Sequence, residues 1–174
     1  MNDMSNKPMR GTWKDDEMLE CVSVIPEMPN VASFTFRAPS GALFDYQPGQ
    51  FLTLEIPVPG GTVHRTYTIS SSPSRPRSIT ITAKAQSDSI GTRWMLDNLK
   101  PGVRLKAFGP VGLFTNAASD ADKYLFISAG SGITPMMSMT TCLWDEGTDL
   151  DAVFINCARV PSEIIFRERL EQMA

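Results

Sequence analysis

"HRTYTISSSP", residues 64–73, sets an arginine, a tyrosine and a run of hydroxyls on one short stretch. Arg65 and Tyr67 are two positions apart, so in a strand they share a face. A core strand has little use for that pair. A strand holding a ligand with a phosphate at one end and an aromatic ring system at the other has use for both. An arginine grips a phosphate in bidentate fashion, and a tyrosine lies flat on a planar ring. Thr68 points the other way, but its hydroxyl and backbone reach the edge of a ring held beside the strand. The same composition also suits an exposed barrel strand with a surface arginine and a half-buried tyrosine.

The neighbouring sequence supplies more strands. "LECVSVI" (19–25) is a first one, and "VASFTFRAP" (31–39) alternates Ala32, Phe34 and Phe36 against Ser33, Thr35 and Arg37, the period of a half-buried strand. "PGQFLTLEIPVPGG" (48–61) puts Leu52, Leu54 and Ile56 on one face and stops at Pro and Gly. "HRTYTIS", "SITITAKA" (78–85) and "RLKAFGP" (104–110) follow. Short strands with turn signals at regular spacing predict a small six-stranded antiparallel barrel over 16–115. "GTRWMLDNLKPG" (91–102) interrupts them as a short helix with Thr92 at its N-cap.

After "NAASDADK" (116–123) the pattern changes. "YLFIS" is a continuous apolar strand suited to burial on both faces. "AGSGITP" is a Gly-rich turn, "MMSMTTCLWDEG" a helix, "DAVFINCAR" a second buried strand, and "SEIIFRERLEQMA" a helix with Ser162 at its N-cap. This β-α-β-α order over 120–174 is the first half of a parallel nucleotide-binding α/β domain. Two parallel strands need helices on both faces, so the expectation is an incomplete second domain. Residues 1–15 are expected to be a flexible tail.

The 174 residues carry a net charge of −3, with no basic field to draw nucleic acid or anionic lipid. The apolar runs are too short to span a bilayer, and the N-terminal residues lack an apolar leader core. Three widely spaced cysteines suit reduced thiols in a cytoplasm and form no zinc or iron–sulfur framework. Neither nucleic acid nor a membrane is therefore expected as a partner, and no metal site is expected in the chain.

Two further elements bear on the ligand. A helix starting at "IGTRWM" offers backbone N–H groups and a favourable dipole to an anion; a plain helix start accounts for it equally well. Beside Arg65 it makes a two-sided phosphate clamp. In "YLFISAGSGITP" a buried strand runs into Gly130, Gly132, Thr134 and Pro135 and then a helix, the build of a mononucleotide-binding turn. Pro135 stands where a Rossmann fingerprint has its third glycine, and a simple tight turn also fits.

In this order, "RTYT", "GTRW", "GPVGLF" and "SAGSGITP" resemble the ferredoxin–NADP⁺ reductase superfamily over nearly all of residues 17–174. Its flavin motif matches Arg65, Tyr67, Thr68 and Ser71, with Thr66 between them. Its pyrophosphate turn matches Gly91, Thr92 and Arg93 loosely, and its barrel end matches Gly109, Pro110, Gly112 and Phe114. Its nicotinamide turn matches Gly130, Gly132, Ile133, Thr134 and Pro135. "ARVPSEIIFRERL" resembles its second βα turn. By that resemblance Tyr67 stacks on the isoalloxazine, Thr68 bonds near its N5, and Arg65 with residues 92–93 holds the pyrophosphate of FAD. Ile81 and Ala83 line the flavin from the next strand, Thr134 steers the nicotinamide of NAD(P)H, and Arg159 meets its ribose or phosphate. The implied activity passes electrons from NAD(P)H through FAD to a one-electron iron–sulfur acceptor, such as a Rieske oxygenase or a hybrid-cluster protein. No protein side chain acts as a catalytic acid or base, and His64 is a polar neighbour of the flavin strand. A [2Fe–2S] group is expected only in a missing C-terminal domain or a partner. The alternative is a flavin-binding module without independent NAD(P)H oxidoreductase activity.

Overall fold

The structure, a computed structural model, describes residues 11–147 and 151–173. Six strands form one antiparallel sheet: β1 (Leu19–Met28), β2 (Val31–Arg37), β3 (Phe51–Val58), β4 (Gly61–Thr68), β5 (Ile79–Lys84) and β6 (Arg104–Val111). Their spatial order is β4-β3-β6-β1-β2-β5. All six lie where the alternation placed them. The sheet curls until its two edges meet after β4. There Ile69 pairs with Ile81 in an isolated bridge, and Ser70 N–H donates to the Thr80 carbonyl at 2.8 Å. Buried hydroxyls line this seam: Thr82 Oγ1 lies 2.8 Å from Ser33 Oγ and 2.9 Å from Ser70 Oγ. The closure is barrel-like and partial. Phe34, Phe36, Leu52, Leu54, Ile56, Ile79 and Ile81 fill its interior.

Helix α1 (Ile90–Asn98) packs against β3 and β4. Its N-cap is Ser89, and Thr92 is the third helical residue, buried. The expected cap at Thr92 is thus displaced by three positions, because the Thr92 hydroxyl is turned inward to a partner. Trp13 corrects the expected tail. Residues 1–10 lie outside the described residues, but Trp13 is buried against Phe44, and its backbone N–H donates to the Leu43 carbonyl at 2.9 Å. The Leu43 N–H donates back to the Gly11 carbonyl at 2.9 Å, and Gly109 N–H donates to the Asp15 carboxylate at 3.1 Å, so residues 11–15 are tied to the sheet unit.

The second unit pairs β7 (Lys123–Ala129) in parallel with β8 (Asp151–Cys157), with α2 (Ile133–Asp145) between them. The last helix differs from expectation. Residues Pro161–Glu163 make a short 3-10 turn, and α3 spans only Arg167–Met173. Ser162 therefore caps nothing; Phe166, at φ 62°, breaks the helical path while it and Ile165 plug into the core. The two strands also bury only one face: Leu125, Ile127, Val153 and Ile155 are exposed on the other.

Helix α2 joins the units. Val31 of β2 shares a core cluster with Ile133, Met137, Ile165 and Phe166. At Gly49, φ is 95°, and an added Cβ would lie 2.1 Å from the Phe114 carbonyl oxygen and 2.6 Å from Met139 Cε. Both the left-handed backbone and the close approach demand glycine. Gly49→Ala is expected to lower unfolding free energy by about 2–4 kcal/mol, the sum of backbone strain and overpacking. Urea denaturation reads it directly; a loss below about 0.5 kcal/mol would contradict the packing described.

Candidate flavin and dinucleotide site

The register of β3 with β4 decides where Arg65 and Tyr67 point. Leu52 opposes Tyr67, Leu54 opposes Arg65 and Ile56 opposes Val63. Directly opposed residues share a face, so Arg65 and Tyr67 lie on the same side as three buried core residues. Because β4 is an edge strand, that side runs beyond the core to α1. A Cβ on Gly91 would meet Arg65 Cγ at 3.3 Å and Val63 Cγ2 at 3.1 Å. The arginine stem thus lies against the first turn of α1, with its guanidinium exposed and donating to the His64 carbonyl at 2.8 Å. Tyr67 is half-buried, and its hydroxyl lies 2.9 Å from Thr92 Oγ1. Arg65, Tyr67, Gly91 and Thr92 are therefore brought together, as the clamp requires. Ser89 makes no side-chain cap bond, so it does not occupy the N–H groups of the first turn.

Other expected residues are placed differently. Thr66 faces the opposite side, 3.2 Å from Thr53 Oγ1. Ile81 and Ala83 are buried in the core, so their side chains face the barrel interior and only their backbone is left for a ligand. Arg93 is held by Asn30 Oδ1 at 2.8 Å, across to the β1–β2 turn. Arg159 is exposed and paired through both Nε and a terminal nitrogen with Glu163. Thr68 is half-buried at the end of β4, opposite Phe51.

Ser71 is a junction. Thr80 N–H donates to Ser71 Oγ at 2.9 Å, the Tyr46 hydroxyl lies 2.9 Å from that oxygen, and Ser138 Oγ donates to the Ser71 carbonyl at 2.6 Å. Tyr46 and Ser138 carry no signal in the sequence, since each lies tens of residues from the segment it holds. Asp145, which takes Arg75 at 2.6 Å and Ser74 Oγ at 2.5 Å, was equally hidden.

At the second turn, a Cβ on Gly130 or Gly132 would meet nothing within 4 Å. Gly130 has φ 51°, which explains it. Gly132 has an ordinary φ of −64°, so neither strain nor crowding by this chain requires glycine there. Space left free beside a helix start fits an approaching dinucleotide. Thr134 is buried and its hydroxyl donates to the Ser131 carbonyl at 3.2 Å, bracing the turn. Pro135 lies in the first turn of α2, where its missing N–H costs nothing. A depression of about 430 Å³ on the outer side of α1, lined by Asp88, Arg93, Trp94 and Asp97, contains neither Arg65 nor Tyr67.

The chain thus presents an exposed arginine and a helix start at an edge strand in one unit, and a Gly-rich strand–helix turn in the other. Residues 20–116 match the model of the oxidoreductase FAD-binding domain, and residues 126–174 that of the oxidoreductase NAD-binding domain. The chain belongs to the oxidoreductase FAD-binding domain family, of the ferredoxin–NADP⁺ reductase type. It is 65% identical over 162 residues to the stachydrine N-demethylase reductase subunit of Rhizobium meliloti, covering 93% of this chain and 46% of that protein. It is 46% identical to the glycine betaine monooxygenase reductase subunit of Pseudomonas aeruginosa, covering 94% of this chain and 45% of that one. Phthalate dioxygenase reductase, described as a modular structure for electron transfer from pyridine nucleotides to [2Fe–2S], superposes with a TM-score of 0.79. It is 26% identical, over 88% of this chain and 47% of that one. The chain spans just under half the length of these relatives.

Burial pushes the Tyr67 phenol above its ordinary value of 10.0, while the Thr92 hydroxyl and the Arg65 charge pull it back. A raised folded-state value contributes stability that is whole below pH 10 and lost as pH rises through that value. Tyr67→Phe is expected to cost about 1 kcal/mol at pH 7 through the lost Thr92 bond. It is also expected to lose stability less steeply than wild type above pH 10. Urea titrations at pH 7 and pH 10.5 check both; parallel losses in the two proteins would refute the assignment.

Proposed function

We propose that this chain forms the FAD-binding unit and part of the NAD(P)-binding unit of a reductase that passes electrons from NAD(P)H through FAD to an iron–sulfur acceptor. The observation that carries the reading is the Arg65–Gly91–Thr92–Tyr67 juxtaposition, because a cation, a helix start and an aromatic ring lie side by side there. When bound, the flavin supplies the hydride-accepting and single-electron-releasing chemistry. The protein supplies binding and orientation. Arg65 and the N–H groups of the first turn of α1 hold the pyrophosphate, a two-sided clamp that suits two phosphates better than one. Tyr67 presents its ring to the isoalloxazine, held at a fixed tilt by Thr92. Gly130 and Gly132 admit the dinucleotide backbone, and Thr134 keeps that turn in shape.

The acceptor we propose is a Rieske-type oxygenase. Support comes from the reductase-subunit names of the relatives, which belong to a demethylase and a monooxygenase; none of those described above names a hybrid-cluster protein. A cytoplasmic location is part of the same reading, supported by three unpaired cysteines. Among the described residues no helix is long and apolar enough to cross a membrane.

Purified protein is expected to carry about one FAD per chain, identified by acid release and chromatography. Recovery of FMN, or of no flavin from folded protein, would overturn the assignment. Arg65→Ala and Tyr67→Ala are each expected to weaken FAD binding by about 1–3 kcal/mol, measured by fluorescence titration. Unchanged affinity in both variants would remove these two residues from the site.

A further inference from the structure

We infer that Ser138 is a positioning residue that fixes the dinucleotide turn against the flavin strand. Its side chain is fully buried, and its hydroxyl donates at 2.6 Å to the carbonyl of Ser71, a residue of the other unit. Each end of this bond leads to a proposed cofactor site, so the inference rests on the function proposed above. Ser71 ends the segment that begins at Arg65 and Tyr67. It cannot move alone, because Thr80 N–H and Tyr46 hold its hydroxyl. Ser138 lies one helical turn after Thr134, about 6 Å along the axis at 1.5 Å per residue. Thr134 in turn braces the Gly130–Gly132 turn. One hydrogen bond therefore joins two braced segments.

A second tie gives the contact a direction. At the far end of α2, Asp145 accepts from Arg75 through two bonds, Nε at 2.9 Å and a terminal nitrogen at 2.6 Å, and from Ser74 Oγ. Ser71, Ser74 and Arg75 belong to one short loop. The loop thus grips α2 at its sixth residue and its last, which fixes both the sliding and the tilt of the helix. Hydride transfer depends steeply on the separation of the two reacting rings. A helix free to slide or tilt would carry the Gly-rich turn out of that range without altering the flavin clamp.

The test uses Ser138→Ala, Ser138→Cys and Arg75→Ala, with two readouts. The first needs no ligand: hydrogen exchange of amides in 69–75 and 130–135. Ser138→Ala is expected to speed exchange at least tenfold in both segments. Ser138→Cys, which keeps the volume and a weak donor, is expected to fall between it and wild type. Faster exchange confined to α2, or no change, would overturn the inference. The second is anaerobic stopped-flow reduction of the FAD-loaded protein by NADH. The limiting rate is expected to fall at least tenfold in Ser138→Ala, while the affinities for FAD and NADH stay within threefold. An equal limiting rate, or a loss of FAD affinity matching the loss of rate, would overturn it. Should Ser138→Ala fail to fold, Arg75→Ala carries the same test, with about threefold effects expected in the same directions; Arg75 is mostly exposed and its removal leaves the core intact. A wild-type protein that takes up no FAD would refute the proposed function, one that takes up FAD but is not reduced by NADH would favour the flavin-binding module, and in either case the exchange measurement would still decide the role of Ser138.

Discussion

The antiparallel pairing of β3 with β4 is the constraint on which the site depends. It commits Arg65 and Tyr67 to the face that carries Leu52, Leu54 and Ile56. Inside a closed barrel that would bury a guanidinium without a counter-charge, which is costly. The cost is avoided because β4 is an edge strand, and α1 rather than another strand covers its inner face. The arginine stem packs on Gly91 while the charged end reaches water, an arrangement long side chains readily adopt. A one-residue slip would send both side chains to the opposite face beside Thr53, turn Thr66 inward and dismantle the clamp.

From the β3 side that register is held firmly, because Leu52, Leu54 and Ile56 make one face of that strand apolar and fully buried. The seam is held differently. Where β5 approaches the end of β4, the side chains are Ser33, Thr35, Ser70, Thr80 and Thr82, linked hydroxyl to hydroxyl. Buried hydroxyls stabilise only when every one is partnered, and then they fix geometry more sharply than apolar contacts do. The barrel-like sheet thus combines an apolar interior that supplies stability with a polar seam that sets where residues 68–71 lie. Those are the residues that lead from the flavin strand to α2.

The strands were legible in the sequence because period-two alternation survives any tertiary arrangement that buries one face. The grouping of Arg65, Tyr67, Gly91 and Thr92 was legible from residue types and order. What escaped depends on distant partners. Thr92 looked like a cap, but its hydroxyl is used by Tyr67, 25 residues earlier, and Ser89 takes the cap position. Ser162 looked like a cap for the same local reason, and the plugging of Ile165 and Phe166 into the core overrode it. Trp13 sat in a polar stretch whose composition outvoted its one large ring. Ile81 and Ala83 were rightly placed on β5, yet alternation also says that they face the interior. Ser138 and Asp145 sit on a Met-rich helix whose apolar content hides two polar residues aimed at a loop some 70 positions away.

The two ties between the units are unequal in kind. Arg75 is mostly exposed, so its pair with Asp145 is screened by solvent and contributes little to stability on its own. The Asp145 carboxylate is nevertheless held below the usual range, chiefly by the Arg75 bonds and further by Ser74. The Ser138–Ser71 bond is between neutral groups, with Ser138 fully buried, and the same carbonyl also accepts from the Tyr46 hydroxyl at 3.1 Å. A neutral buried bond is insensitive to salt and pH, whereas a half-exposed ion pair responds to both. Apolar packing of Ile133 and Met137 with Val31 holds α2 against the first unit, the Ser138–Ser71 bond adds a direction that salt and pH do not weaken, and the ion pair adds orientation at the end of the helix farther from the Gly-rich turn.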